Sequence, residues 1–157
     1  GSKIYASEGS GITEISRTAT YGFRLRALTK ADVQNSSILA LALTKERIWL
    51  GMQNGQVMYM DLNKQDYQPF SLPFSVTDMH GIYFMTSDRN DNVWLCRGDE
   101  SHRIFCIAGT SPKLRIYGQN EGIHSKPVVC KDLPRGFYVG ARGKDSYLYW
   151  YNRANDA

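Results

Sequence analysis

The chain has 157 residues and 42% of them are hydrophobic, which is enough for one domain with a substantial apolar core. Its 19 lysines and arginines exceed its 15 aspartates and glutamates by a formal charge of only +4, and they are scattered, so the sequence disfavours a nucleic-acid partner. No stretch approaches the ~18 consecutive apolar residues of a membrane helix, so we expect no membrane contact by this segment.

Short runs rich in β-branched and aromatic residues follow one another along the chain, separated by clusters of Gly, Pro, Asn, Asp and Ser. Both features are typical of β-strands joined by tight turns, so we predict an all-β fold. In chain order, the 14 predicted strands are KIYAS (3–7), ITEIS (12–16), YGFRLRAL (21–28), ILALAL (38–43), RIWLGM (47–52), QVMYMDL (56–62), QPFSLPF (68–74), GIYFMTS (81–87), NVWLCR (92–97), RIFCIA (103–108), LRIYG (114–118), VVCKDL (128–133), FYVGA (137–141) and YLYWYN (147–152).

Two connections between these strands carry a further signal. The dipeptide Asn54-Gly55 predicts a type I′ hairpin turn, because both residue types tolerate the positive φ that this turn needs at its two central positions. The stretch LTKADVQN (28–35) is compatible with a turn or two of helix, and no other stretch is. We therefore expect helix to be almost absent.

An aromatic residue recurs at one place in four of the predicted strands. Tyr5, Trp49, Trp94 and Tyr138 are separated by 44, 45 and 44 residues, and each stands in an apolar strand entered from a polar turn. A repeat of about 44 residues with four strands is typical of a β-propeller, whose blades are small sheets packed face to face. We predict that the four aromatic residues are core residues that fill the space between successive blades.

The segment GIYFMTSDRNDNVWLCR (81–97) resembles the repeat of the two-component regulator propellers, which has an inner strand, an Asp-rich turn, and a strand that begins with an apolar residue and Trp. Residues 38–62 and 128–152 follow the same plan. Gly51 and Gly140 keep the small residue that Cys96 and Ser7 replace. In this family such propellers form the extracytoplasmic sensor region of bacterial hybrid sensor kinases, often those that respond to glycan fragments.

This resemblance implies a periplasmic sensor segment that binds a small molecule or oligosaccharide and signals across the membrane. It also implies that the strands group as three, four, four and three, in one partial propeller of about three and a half blades. The repeats then cover residues 3–35, 36–80, 81–124 and 125–157 of a single domain, 1–157. Incomplete blades expose edges, so we expect contact with further blades of the same protein or self-association.

Catalytic motifs are absent from the sequence. It has no phosphate loop, no H-E-x-x-H, no nucleophile elbow and no kinase motif, and its carboxylates form no recurring pair, so we expect no enzyme activity and no cofactor in this segment. A histidine kinase would lie elsewhere in the full-length protein. The open alternatives are a WD-repeat-like scaffold for protein partners, and a quinoprotein or lyase propeller whose catalytic blades lie outside this piece.

Three cysteines give neither a zinc spacing nor a disulfide framework. Matching the hairpin that contains Cys96 and Cys106 to the preceding repeat sets Cys96 opposite Phe105. That register would point the two thiols to opposite faces of the sheet. We therefore predict free, buried thiols.

Polar side chains concentrate in the segments that should share one rim of the sheets. The turn after the second strand and the connection to the next sheet lie on the same rim, because the chain reverses direction at every strand. We predict that this rim binds an acidic or hydroxyl-rich ligand. A metal would need histidine rings within about 4 Å of one another, and we expect none. The candidate ligand-binding residues are Arg97, His102, Arg103, Arg142, Lys144, His80 and His124.

Overall fold

The computed structural model describes residues 3–9, 11–17, 23–27, 36–64, 66–72, 80–98, 102–109, 113–133, 136–142 and 147–151. These residues form 14 strands and one 3₁₀ turn (Gln119–Glu121) but no α-helix, which confirms the predicted all-β fold. Residues 28–35, the predicted helical turn, lie outside them. The strands are β1 (Lys3–Glu8), β2 (Gly11–Arg17), β3 (Phe23–Ala27), β4 (Ile38–Leu43), β5 (Arg47–Met52), β6 (Val57–Asp61), β7 (Tyr67–Phe70), β8 (Ile82–Ser87), β9 (Val93–Arg97), β10 (Ile104–Ile107), β11 (Leu114–Tyr117), β12 (Lys126–Leu133), β13 (Gly136–Arg142) and β14 (Tyr147–Tyr151).

The strands form four antiparallel sheets in which chain neighbours are also sheet neighbours. Sheet 1 contains β1–β3, sheet 2 β4–β7, sheet 3 β8–β11 and sheet 4 β12–β14. The numbers of strands, three, four, four and three, agree with the predicted grouping. The first strands of sheets 2, 3 and 4 also contact one another in turn, β4 with β8 and β8 with β12. Sheets 2, 3 and 4 are therefore joined in succession through contacts between their first strands.

The apolar core lies between the faces of successive sheets. One cluster joins Ile12 of sheet 1 to Leu50 and its neighbours in sheet 2, and a second joins sheets 2 and 3 around Trp49 and Phe105. The third joins sheets 3 and 4 around Trp94 and Phe137. Sheets 2 and 3 are covered on both faces, which explains why β5, β9 and β10 read as continuous apolar runs rather than alternating ones.

The four recurring aromatic residues occupy equivalent strands but differ in exposure. Trp49 and Trp94 are almost fully buried, at 1% and 3% exposed, whereas Tyr5 and Tyr138 are half-buried. Trp94 packs toward the following sheet, with its ring 4.1 Å from that of Phe137. Tyr138 stands on the last sheet, and no later sheet exists among the described residues to cover it.

The Asp-rich turn before β9 has a structural role that accounts for its sequence. Asp88 is buried, and its carboxylate accepts hydrogen bonds from the backbone N–H groups of Asn90 (2.8 Å) and Asn92 (3.0 Å). It also accepts a bond from Trp94 Nε1 at 3.0 Å. One carboxylate thus shapes the turn and satisfies the indole N–H that enters the core.

The turn at Asn54-Gly55 differs from the predicted type I′. Gly55 has φ +83°, but Asn54 does not have a positive φ, and the Gly55 N–H donates to the carbonyl of Met52 at 3.1 Å. A β-turn followed by one left-handed glycine is the alternative that hairpins use when the loop is longer than two residues. The hairpin was predicted correctly and its turn type was wrong.

The predicted register around Cys96 was also wrong. Phe105 lies opposite Leu95 rather than Cys96, and Cys106 lies opposite Trp94. The connection between β9 and β10 (98–103) is longer than the corresponding connection 53–56 in sheet 2, so the two repeats cannot be matched residue by residue across it. A shift of one residue moves every side chain to the other face. Cys96 and Cys106 therefore belong to the same buried cluster, as free thiols.

Candidate binding site between sheets 3 and 4

Two of the predicted ligand-binding residues, Arg97 and Arg142, line one hollow on the predicted rim. This cationic hollow lies between sheets 3 and 4 and has a volume of about 710 Å³. Arg97 ends β9 and Arg142 ends β13, which are the second strands of their sheets. The residues that line the hollow are Tyr83, Phe84, Cys96, Arg97, Gly98, Lys126, Pro127, Val128 and Arg142.

Among the described residues, the charged side chains that line the hollow are all cationic. Arg97, Lys126 and Arg142 contribute cations, and the described lining contains no Asp or Glu. Lys126 Nζ donates to the carbonyl of Gly98 at 3.0 Å, which holds the ammonium group of sheet 4 against the end of β9 in sheet 3. Guanidinium and ammonium groups gathered in a partly buried hollow favour binding of carboxylate, sulfate or phosphate groups.

A β-bulge recurs at the entrance to the first strand of three sheets. The strand register shifts at Leu39 in β4, at Tyr83 in β8 and at Val128 in β12, and these positions are 44 and 45 residues apart. All three bulged residues are apolar or aromatic and exposed, at 37%, 63% and 42%. Bulges redirect side chains, often beside functional sites. Here they direct Tyr83 and Val128 to the wall of the cationic hollow.

Gly98 allows the ring of Tyr83 to lie against the end of β9. A Cβ atom at position 98 would overlap the Tyr83 ring, so any other residue would displace that ring. The tyrosine presents an exposed aromatic face beside the cations. An apolar ring next to charged donors suits a ligand with both an apolar face and anionic groups, such as an acidic sugar.

The opposite rim, which carries the turns after the first strands, is closed by contacts between sheets. Lys45 of sheet 2 forms an ion pair with Asp91 of sheet 3 at 3.3 Å, and Arg89 of sheet 3 forms one with Asp132 of sheet 4 at 3.3 Å. Charges there neutralise one another across the sheet junctions. The cationic hollow differs because its described lining brings like charges together.

The other predicted site residues lie elsewhere or outside the described residues. His102 and Arg103 line a separate hollow of about 560 Å³ with Glu121 and its neighbours. His80 and His124 are exposed and line neither hollow. Lys144 is not among the described residues. The seven residues thus do not form one site in the part of the chain that the structure describes.

No cluster of three or more His, Cys, Asp or Glu side chains that could hold a metal ion occurs within the described ranges. Nor do those ranges contain a helix long and apolar enough to cross a membrane.

Lys126 and Tyr83 line the hollow but are not among the residues that the sequence predicts to bind a ligand. Lys126 precedes the predicted strand 128–133 by two residues, whereas the observed β12 begins at Lys126 itself. In the sequence, Tyr83 has the pattern of an ordinary strand residue, because a bulge changes the strand register without changing the composition. The only available signal was the recurrence of an apolar residue at positions 39, 83 and 128.

No protein-family model and no curated protein sequence matches the chain. Among solved structures it is similar to PorZ, an essential bacterial surface component of the type-IX secretion system of Porphyromonas gingivalis, with a TM-score of 0.56 and 14% sequence identity. The match covers 97% of this chain and 20% of the PorZ chain. At this identity the likeness concerns the β-rich fold alone.

Proposed function

We propose that residues 1–157 are part of a single β-propeller, with sheets 1–4 as consecutive blades. The support is the chain-order pairing of strands within each sheet, the face-to-face packing of successive sheets, and the contacts of β4 with β8 and of β8 with β12. First strands that meet in this way are the arrangement expected around a propeller axis. In this arrangement sheets 1 and 4, which have three described strands each, would each take a fourth strand.

We further propose that this propeller is the extracytoplasmic sensor region of a bacterial hybrid two-component kinase. The sequence resemblance of residues 81–97 supports this proposal. PorZ, a solved structure with a similar fold, is itself a bacterial surface component. The observation that carries the binding function is the cationic hollow with the exposed Tyr83 ring at its wall. Its ligand class is an acidic oligosaccharide, bound through its carboxylate or sulfate groups by Arg97, Lys126 and Arg142.

Titration calorimetry on the complete sensor domain tests this function with a tri-uronate oligosaccharide and its neutral methyl ester as probes. Binding of the acid should exceed binding of the ester by at least about tenfold, because a hydrogen bond to a charged group contributes roughly 1.5–3 kcal/mol. Arg142→Ala should lower affinity by a similar factor. Arg142 is the better choice than Arg97, because Arg97 is buried and its loss could disturb packing.

Lys131→Ala provides the matched control for Lys126→Ala. Both lysines are on β12, but Lys131 is exposed and does not line the hollow. Affinity should fall about tenfold for Lys126→Ala and stay within about twofold for Lys131→Ala. Equal effects of the two variants would place the site elsewhere. A scaffold function predicts instead that no oligosaccharide binds to the wild type or to either variant.

A further inference from the structure

Two cysteines from different sheets meet in the core beside the cationic hollow. Cys96 is on β9 of sheet 3 and Cys130 is on β12 of sheet 4, and their sulfur atoms lie 3.9 Å apart. Both side chains are buried, and Cys96 also lines the hollow. The sulfur atoms are thus in van der Waals contact, separated by 34 positions in the chain.

The preceding sheet junction shows that the repeat itself brings these two positions together. The residues equivalent to Cys96 and Cys130 are Gly51 on β5 and Met85 on β8, judged from the strand registers after each bulge. A Cβ atom at Gly51 would stand 2.9 Å from Met85 Sδ. Met85 faces Gly51 at the junction of sheets 2 and 3. At the junction of sheets 3 and 4, Cys130 occupies the position of Met85 and faces the thiol of Cys96.

We propose that Cys96 and Cys130 form a disulfide that joins sheets 3 and 4, while Cys106 stays a thiol. In this reaction two S–H bonds break and one S–S bond forms. The two electrons and two protons pass to the disulfide of a thiol–disulfide oxidoreductase, which is reduced to a dithiol. To form the bond, the sulfur atoms must approach from 3.9 Å to about 2.05 Å, the length of an S–S bond.

The proposal rests on the proposed function in one respect, since an extracytoplasmic location supplies such an oxidant. The hydrogen bond with Cys96 and burial in apolar surroundings raise the pKa of the Cys130 thiol. Because the thiolate is the reacting species, we expect the bond to form while the chain folds rather than after the sheets have closed.

The test compares the chain exported to an oxidising compartment with the chain produced in a reducing cytoplasm. Each sample is alkylated in denaturant without reductant, and its intact mass and peptide map are recorded. The exported chain should carry one label, on Cys106, and a peptide that links Cys96 to Cys130. The cytoplasmic chain should carry a label on each of its three cysteines, and refolding it in a glutathione redox buffer should produce the same link.

The melting temperature of the exported chain should fall by roughly 5–15 °C on reduction, because the bond closes a loop of about 35 residues. The double variant Cys96→Gly, Cys130→Met reproduces the Gly51 and Met85 pair and should remove this dependence on reductant. Cys106→Ser should leave it unchanged.

Three labels on the exported chain, or a link that includes Cys106, would overturn the proposal. Calorimetry on the same samples separates it from the proposed function. If the exported chain carries three labels but still binds the acidic oligosaccharide, only the disulfide is refuted. If the Cys96–Cys130 link is mapped but no oligosaccharide binds, only the proposed function is refuted.

Discussion

Replacing Trp94 by phenylalanine removes a buried hydrogen bond together with part of an aromatic ring, whereas the same change at Trp49 removes part of the ring but no described hydrogen bond. Trp94 Nε1 donates to Asp88 at 3.0 Å, and its ring stacks on Phe137 at 4.1 Å. Trp49 is equally buried, and its Nε1 has no hydrogen-bond partner among the described residues. Trp49 packs on Tyr59 at 5.1 Å. The two positions are equivalent in their sheets, so Trp49 is the matched control.

The expected losses follow from these contacts. The smaller phenylalanine ring costs about 1–2 kcal/mol of unfolding free energy at either position, through lost apolar burial and incomplete collapse of the space. At Trp94 the lost bond to a carboxylate adds roughly 1.5–3 kcal/mol. At Trp49 the change also removes a buried N–H without a described partner, which offsets part of the loss. Trp94→Phe should therefore destabilise by about 2 kcal/mol more than Trp49→Phe.

Urea unfolding followed by far-ultraviolet circular dichroism measures both losses without relying on tryptophan fluorescence. A double-mutant cycle of Trp94→Phe with Asp88→Asn should give a coupling energy of about 1–2 kcal/mol. Equal destabilisation by the two Trp→Phe changes, with a coupling energy under about 0.3 kcal/mol, would show that the Asp88 bond does not hold the indole.

Three further predictions concern the rim, the chain edges and acid stability. Gly98→Ala should weaken tri-uronate binding by displacing the Tyr83 ring, yet change the melting temperature little because that ring is exposed; calorimetry and thermal unfolding decide this. Light scattering after size exclusion should show self-association through the open edges of sheets 1 and 4, and a dispersed monomer at high concentration would contradict this. Hydrogen bonding from Lys3 lowers the pKa of Glu14 below its usual value near 4.5. The stabilising effect of the Glu14 carboxylate is therefore present above that value and lost as pH falls through the folded pKa. Glu14→Gln should make the urea midpoint less dependent on pH in this range. An unchanged slope of midpoint against pH would refute the assignment.

The candidate site was predictable in position but incomplete in composition. Connectivity alone placed Arg97 and Arg142 on one rim, because antiparallel strands reverse the chain at every turn. The sequence also grouped His102 and Arg103 with them, and the structure puts those two in a different hollow. A shared rim is a property of topology, whereas a shared hollow depends on which side chains from two sheets face each other.

By itself, the sequence determined the strand content, the four-sheet succession and the recurring aromatic position. These features depend on local patterns of β-branched residues, turn residues and spacing, which act within one strand or hairpin. Only the tertiary structure decided the Cys96 register, the bulges at Leu39, Tyr83 and Val128, and the meeting of Cys96 with Cys130. Loop length and face-to-face packing set these relations, and a one-residue shift in pairing reverses the face of every side chain without altering any local pattern.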